Sequence, residues 1–357
     1  MTTIDTSKDV KAFHSEEVVL SMEDQSEMCS RRDSGRTRLK NGLIRDAHPQ
    51  PKESAEQGSY AMRTMVEDDA CDYDIDDGVY FEKDDLKNAD GEHLTPKQAR
   101  ERVRWALEDD RLKHYAQVKT NCVRQRYPEG YHIDIPVYRI IRSTDIWGKS
   151  EVHYELASGD SWVKADARAV TKWFRDVVGE ELKRGEADAS QTRRVTRLTK
   201  KLARSRGSWK SSTASGICIT KLVVEKMVCV TDREDDALRE TWKAIKERLD
   251  FSLQIEHPTE SGRLLAPADS EEVAFFRDCL ADALKKLKVL DDANCTREKA
   301  LKAWDSVFNT DFFGKRDVAK AESARGLLRA SAVAPAAAPA LTFPNKPVIP
   351  NKPAGFA

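Results

Sequence analysis

Asp72-Tyr73-Asp74-Ile75-Asp76-Asp77-Gly78-Val79-Tyr80-Phe81 decides how the rest of this chain is read. As a strand, it alternates. Asp72, Asp74 and Asp76 fall on one face, Tyr73 and Ile75 on the other. Carboxylates two residues apart repel one another unless a cation neutralises them. A second alternating stretch follows, Tyr131-His132-Ile133-Asp134-Ile135-Pro136-Val137-Tyr138. It places Asp134 among isoleucines, where a carboxylate needs a partner. If the two strands are neighbours, three acids face one cleft, as an in-line phosphoryl displacement with two magnesium ions requires. Two rivals remain for the first run. Acidic stretches are commonly solvated loops. D-x-D-x-D also opens a calcium loop, but from Asp72 the Gly falls one position late and the twelfth residue is Lys83 rather than Glu.

Just upstream stands Gln57-Gly58-Ser59. Gly lets backbone approach a phosphate, and Ser adds a hydroxyl and an amide. Met62 and Thr64 continue into a short helix whose start would point at a triphosphate. A Gly-Ser turn opening an ordinary helix is the plainer alternative.

Composition bounds the setting. The chain has 357 residues, 34% charged and 39% hydrophobic, which suffices for one large domain or two smaller ones. The net charge of -1 supplies no global attraction for nucleic acid or membrane. The seven cysteines form no C-x-x-C pair, so neither a zinc site nor a disulfide framework is indicated, and a reducing cytoplasm is expected. The start, Met1-Thr2-Thr3-Ile4-Asp5, lacks a signal-peptide pattern. No apolar run approaches the ~20 residues of a membrane span.

Strand patterns cluster in the first half of the chain and helical ones in the second, an α+β order. Residues 1–50 read as a polar arm, mobile or helical. Thr95-Pro96-Lys97-Gln98 predicts a capped helix start, with the helix running to about Asp110. Strands are predicted at 114–126, 131–141 and 151–156. Helices are predicted at 167–183, 190–206, 213–230, 234–249 and 270–290, with Asp269 and Glu272 capping the last. In the second of these helices, Arg193, Arg197, Lys200 and Arg204 share one face, and Val195, Leu198 and Leu202 another. From Ser331 the chain is Ala- and Pro-rich, with Asn-Lys-Pro at 345–347 and 351–353, which predicts a disordered tail.

The order Gln-Gly-Ser, Asp-Ile-Asp-Asp-Gly-x-Tyr, His-Ile-Asp-Ile-Pro-x-Tyr resembles the bacterial cGAS/DncV-like nucleotidyltransferases (CD-NTases), nearest the DncV type, over roughly residues 55–265. The resemblance implies a nucleotidyltransferase palm with a mixed β-sheet (51–165), a C-terminal helical lobe (166–330), and an active site in the cleft between them. It implies that Asp74, Asp76 and Asp134 are the catalytic residues and the ligands of two Mg2+ ions, with Asp72 and Asp77 as supporting charges. Gln57, Gly58, Ser59 and Met62 would form the donor-nucleotide turn. Arg124, in Cys122-Val123-Arg124, would contact a nucleotide. Lys200 would bind triphosphate, with Lys201 the alternative register. Ser212, Thr213 and Ser215 are the hydroxyl candidates at the next helix start. Trp162-Val163-Lys164-Ala165-Asp166 resembles a family segment in which Ser stands where Ala165 does. By the same resemblance, Glu260 would be a further position facing a base.

The implied activity is template-independent synthesis of a cyclic dinucleotide, cyclic GMP-AMP, from ATP and GTP, in bacterial anti-phage signalling (CBASS). No membrane and no nucleic acid are required. The tail ending at Ala357 resembles the conjugated C-termini of related synthases and implies a ubiquitin-transfer-like partner. The same acids would also serve a nucleotidyltransferase that modifies a small molecule or a nucleic-acid end. A non-catalytic nucleotide-binding regulator is the third class.

Overall fold

The computed structural model describes residues 4–68, 73–144, 148, 150–183 and 190–317. Asp72, the tail at 331–357 and its terminal Ala357 lie outside them. Described residues as far as Gly314 form one unit, and Lys315 opens a second.

In chain order the elements are α1 (Ser7–Phe13), α2 (Met22–Arg45), β1 (Glu53–Gln57), α3 (Gly58–Ala61), β2 (Asp74–Glu82), α4 (Pro96–Ala106), β3 (Gln117–Val118), β4 (Val123–Arg126), β5 (His132–Ile135), β6 (Val137–Thr144), β7 (Ser150–Ser158) and β8 (Ser161–Lys164). Then come α5 (Ala167–Lys183), α6 (Ser190–Arg204), α7 (Gly207–Lys210), α8 (Gly216–Lys226), α9 (Glu234–Phe251), β9 (Ile255–Glu256), β10 (Leu264–Ala266), α10 (Glu271–Leu287) and α11 (Arg297–Phe308).

The first eight strands make one mixed sheet, ordered β3-β4-β5-β2-β6-β7-β8, with β1 antiparallel to β2. β2 runs parallel to both β5 and β6. Asp76 lies opposite Asp134 and Val79 opposite Val137, so a single register carries across Pro136. Pro136 has no N–H to give, which splits the expected 131–141 strand in two, while its carbonyl still accepts from the Val79 amide at 2.9 Å. The expected 114–126 strand is instead the short hairpin β3–β4, closed by Lys119 N–H to the Cys122 carbonyl.

One sheet face carries Ile75, Val79, Phe81, Ile133, Ile135 and Val137 and is covered by Leu39 and Leu43 of α2 and Ala99 and Val103 of α4. Thr95 and Gln98 close the expected capping box on α4, which stops at Ala106 rather than Asp110. A second core, in the helical lobe, gathers Val195, Leu198, Leu202, Leu222, Trp242, Phe276 and Trp304.

The N-terminal segment corrects the reading of an arm. Val10, Phe13 and Val18 lie in the helical core, and Met28, Leu39 and Leu43 in the palm core. Thr6 donates to the buried Asp235 and accepts from the Trp304 indole. Too few apolar residues per turn hid this in sequence, because buried Ser7, Asp9 and Gly42 occupy the remaining inward positions. Ser270, not Asp269, caps α10. Its hydroxyl accepts from the Val273 amide and donates to Glu272.

Candidate active site

β2 and β5 bring the acids together because they are parallel neighbours in register. Asp74 lies opposite His132 and Asp76 opposite Asp134. Alternation sends all four side chains to the face that α2 and α4 leave uncovered. Ligand atoms of Asp74, His132 and Asp134 lie within 4.8 Å of one another. His132 Nε2 is 3.9 Å from an oxygen of each acid. His132 was not among the expected site residues, although its position two before Asp134 placed it on the same face.

Electrostatics fit a cation here. Burial and repulsion from Asp134 raise the Asp74 pKa. Burial and repulsion from both other acids push Asp76 well above the ordinary carboxylate range. A divalent ion among these oxygens would remove the repulsion. Asp134 already has a counter-charge: Arg124 donates to both its oxygens at 2.8 and 2.7 Å. Arg124, expected on a nucleotide, is therefore clamped to Asp134 from β4, the strand on the other side. Asp77 points to the opposite face, where Arg36 of α2 holds it at 2.8 Å. It supports the palm rather than the acid cluster.

The turn at 57–59 is built around β2. Gly58 has φ +62, and a Cβ there would sit 2.1 Å from Asp76 Oδ2. Only glycine lets this backbone lie against that carboxylate. Gln57 is turned inward, donating to the Tyr80 hydroxyl at 2.7 Å and accepting from Tyr138 at 3.0 Å. Its side chain props the turn from beneath, over Gly78, where a Cβ would meet it at 1.9 Å.

Asp74 and Asp76 line a cavity of about 440 Å3. The palm contributes Gly58, Ser59, Met62, Asp74, Asp76, Ala165 and Asp166. The helical lobe contributes Lys200, Arg204, Gly216, His257, Glu260 and Arg263. Lys200 is buried, and its ammonium donates to the Thr64 hydroxyl at 3.0 Å and carbonyl at 3.2 Å. Burial and the nearby Arg204 and Arg197 lower its pKa to about 7. Lys201 turns away to the Glu67 carbonyl.

Ser212 is exposed, Thr213 keeps a buried hydroxyl with no hydrogen-bond partner among the described residues, and Ser215 caps α8 through the Cys218 amide. None of the three lines the cavity, whereas the neighbouring Gly216 and Ile217 do. Asp166 caps the α5 start through the Arg168 and Ala169 amides. On the β9–β10 hairpin, Glu260 accepts from Arg263 at 2.9 Å and lies 3.6 Å from His257. No periodic signal marked His257 and Arg263, because they sit in a short hairpin.

Residues 52–138 match the family model of the cyclic GMP-AMP synthase DncV-like nucleotidyltransferase domain. A cyclic GMP-AMP synthase of Escherichia albertii is 25% identical over 254 residues, covering 65% of this chain and 52% of that protein. The chain thus spans about half the length of this curated relative. Vibrio cholerae DncV cyclic AMP-GMP synthase, solved with the linear intermediate 5′ pppA(3′,5′)pG, superposes with a TM-score of 0.61 at 17% identity, over 82% of this chain and 91% of that one. Escherichia coli DncV in its 3′-deoxy GTP bound form gives 0.62 at 17% identity, over 82% and 92%. The Bradyrhizobium diazoefficiens CD-NTase CdnG in complex with GTP gives 0.62 at 15% identity, over 88% and 98%. The shared fold is a nucleotidyltransferase palm with a mixed sheet and a helical lobe. No helix among the described residues is long and apolar enough to cross a membrane.

Proposed function

We propose that this chain, which carries a DncV-like nucleotidyltransferase domain at residues 52–138, joins two nucleoside triphosphates into a cyclic dinucleotide. The observation that carries this is the meeting of Asp74, Asp76 and Asp134 beside the Gly58 turn, in a cleft whose far wall is Lys200 and Arg204. Acids on the palm and cations on the lobe suit a triphosphate lying between them. Bound Mg2+, two ions by the family pattern, would supply Lewis-acid activation of a 3′-hydroxyl and charge neutralisation at the leaving pyrophosphate. Asp74, Asp76 and Asp134 would hold it, with His132 within 3.9 Å of Asp74 and Asp134. Arg124 keeps Asp134 oriented. The Gly58-Ser59 backbone and Lys200 position the donor phosphates, and His257, Glu260 and Arg263 offer polar edges to a base.

Two such transfers, with the linear dinucleotide turned round between them, close the ring. ATP and GTP are the proposed substrates and cyclic GMP-AMP the product, by kinship with the relatives above. A place in cytoplasmic anti-phage signalling (CBASS) completes the proposal. Incubation with all four NTPs and magnesium, followed by mass spectrometry, tests it. A nuclease-resistant cyclic dinucleotide is expected. Nucleotide transfer only to an added small molecule or nucleic-acid end would replace this reading with the alternative transferase.

A further inference from the structure

A second cavity, of about 370 Å3, lies across the 60–65 turn from the catalytic cleft. Arg63, Arg175 and Arg197 all line it, and the one carboxylate lining it among the described residues, Glu56, is already paired with Arg32. None of the three arginines has a carboxylate partner among the described residues. Arg175 donates to the Ala61 carbonyl at 3.0 Å, and Arg197 lies 3.5 Å from His14 Nε2. His14 adds no negative charge. Its burial and the neighbouring Arg197 lower its pKa to about 3, so it stays neutral. Arg197 in turn is lowered to about 10, first by burial and then by repulsion from Arg193 and Arg63. Arg63 and Arg175 are exposed and Arg197 half-buried, so the cavity presents three guanidiniums that no carboxylate among the described residues neutralises. Their forked donors match oxyanions bidentately. The volume suits a small organic or inorganic ligand.

We infer that this cavity is a second binding site, separate from the catalytic cleft, for a small anion bearing at least two phosphate or carboxylate groups. Arg63 is its sensor toward the active site. Its backbone holds φ +55 between Met62, which lines the cleft, and Thr64, which anchors Lys200. Occupancy beside Arg63 therefore bears on the segment that fixes Lys200.

The test is binding rather than catalysis, so its outcome is independent of the proposed activity. The full chain is titrated calorimetrically in EDTA with inorganic pyrophosphate and, separately, with tricarballylate. Without metal, the acids in the cleft disfavour both probes there. Arg63→Gly suits the exposed, left-handed position and should preserve the fold, which thermal melting verifies. Expected is a loss of at least tenfold in affinity for one or both probes in Arg63→Gly, and a similar loss in Arg175→Gln. Arg204→Ala, in the cleft, should leave affinity unchanged. Loss for pyrophosphate alone assigns a phosphate ligand, and loss for tricarballylate alone a carboxylate one. No binding of either probe, or affinities unchanged in both cavity variants, overturns the inference.

Discussion

Asp76 concentrates the conflict between stability and chemistry. Its folded pKa, and that of Asp74, lie above the unfolded values. Stability from these groups is therefore fully present below the unfolded pKa, about 4, and is lost as pH rises through the folded values. Metal-free Asp76→Asn protein should melt higher than the parent at pH 7, by about 2 °C or more, and match it near pH 4. Synthesis by the same variant should fall at least ~100-fold. A lower melting point at pH 7 would contradict the repulsion argument. Lys200 gives the complementary prediction. With its pKa lowered to about 7, it is partly neutral in the free protein near pH 7.5, and an adjacent triphosphate would raise it. Nucleotide binding should take up protons, seen as a binding enthalpy that varies with buffer ionisation heat. Lys200→Met should abolish that variation and weaken binding about tenfold or more. Sequence left Lys200 and Lys201 as alternative registers; in the fold Lys200 reaches Thr64 beside the cleft, whereas Lys201 reaches the Glu67 carbonyl.

At the scale of elements, β2 is the member on which the palm depends. Its odd and even residues serve different purposes: Ile75, Val79 and Phe81 enter the palm core, while Asp74 and Asp76 face the cleft. Asp77 belongs to the core-facing set and is tolerated there only because α2 supplies Arg36. Arg36→Ala would leave a buried, unpaired carboxylate and should cost about 3 kcal/mol in urea unfolding. Asp77→Asn in the same background should recover part of that loss. Because the pair lies on the face away from the cleft, turnover by the folded Arg36→Ala fraction should remain near the parent's. Alternation made β2 and the 131–141 stretch legible, though not its break at Pro136 into β5 and β6. The hairpin β3–β4 and the strands β1 and β8 were not, since two to five residues carry too little period to register.

In the whole molecule, the segment before Met22 ties the helical lobe together. Deleting residues 1–20 would remove Val10, Phe13 and Val18 from its core. Each such side chain contributes about 1.5–3 kcal/mol, and together they rival the ~5–15 kcal/mol margin of a typical domain. Asp235 would also lose the Thr6 amide and hydroxyl. The truncated chain should therefore lose lobe structure, measured as lost near-ultraviolet dichroism around the buried Trp242 and Trp304. Retention of the parent's melting curve would return this segment to the status of a dispensable arm.

Periods of two and 3.6 residues are local properties, so sequence alone fixed that Asp74 and Asp76 share a strand face, that Lys200 lies on the helix face away from Val195 and Leu198, and that strands precede helices. Which strands are neighbours, and in what register, is a property of long-range pairing. Only the folded chain set Asp134 beside Asp76, gave Arg124 to Asp134, turned Gln57 inward and brought His257 to the cleft. Each of these depends on groups distant in sequence competing for the same buried volume and charge, which no local pattern encodes.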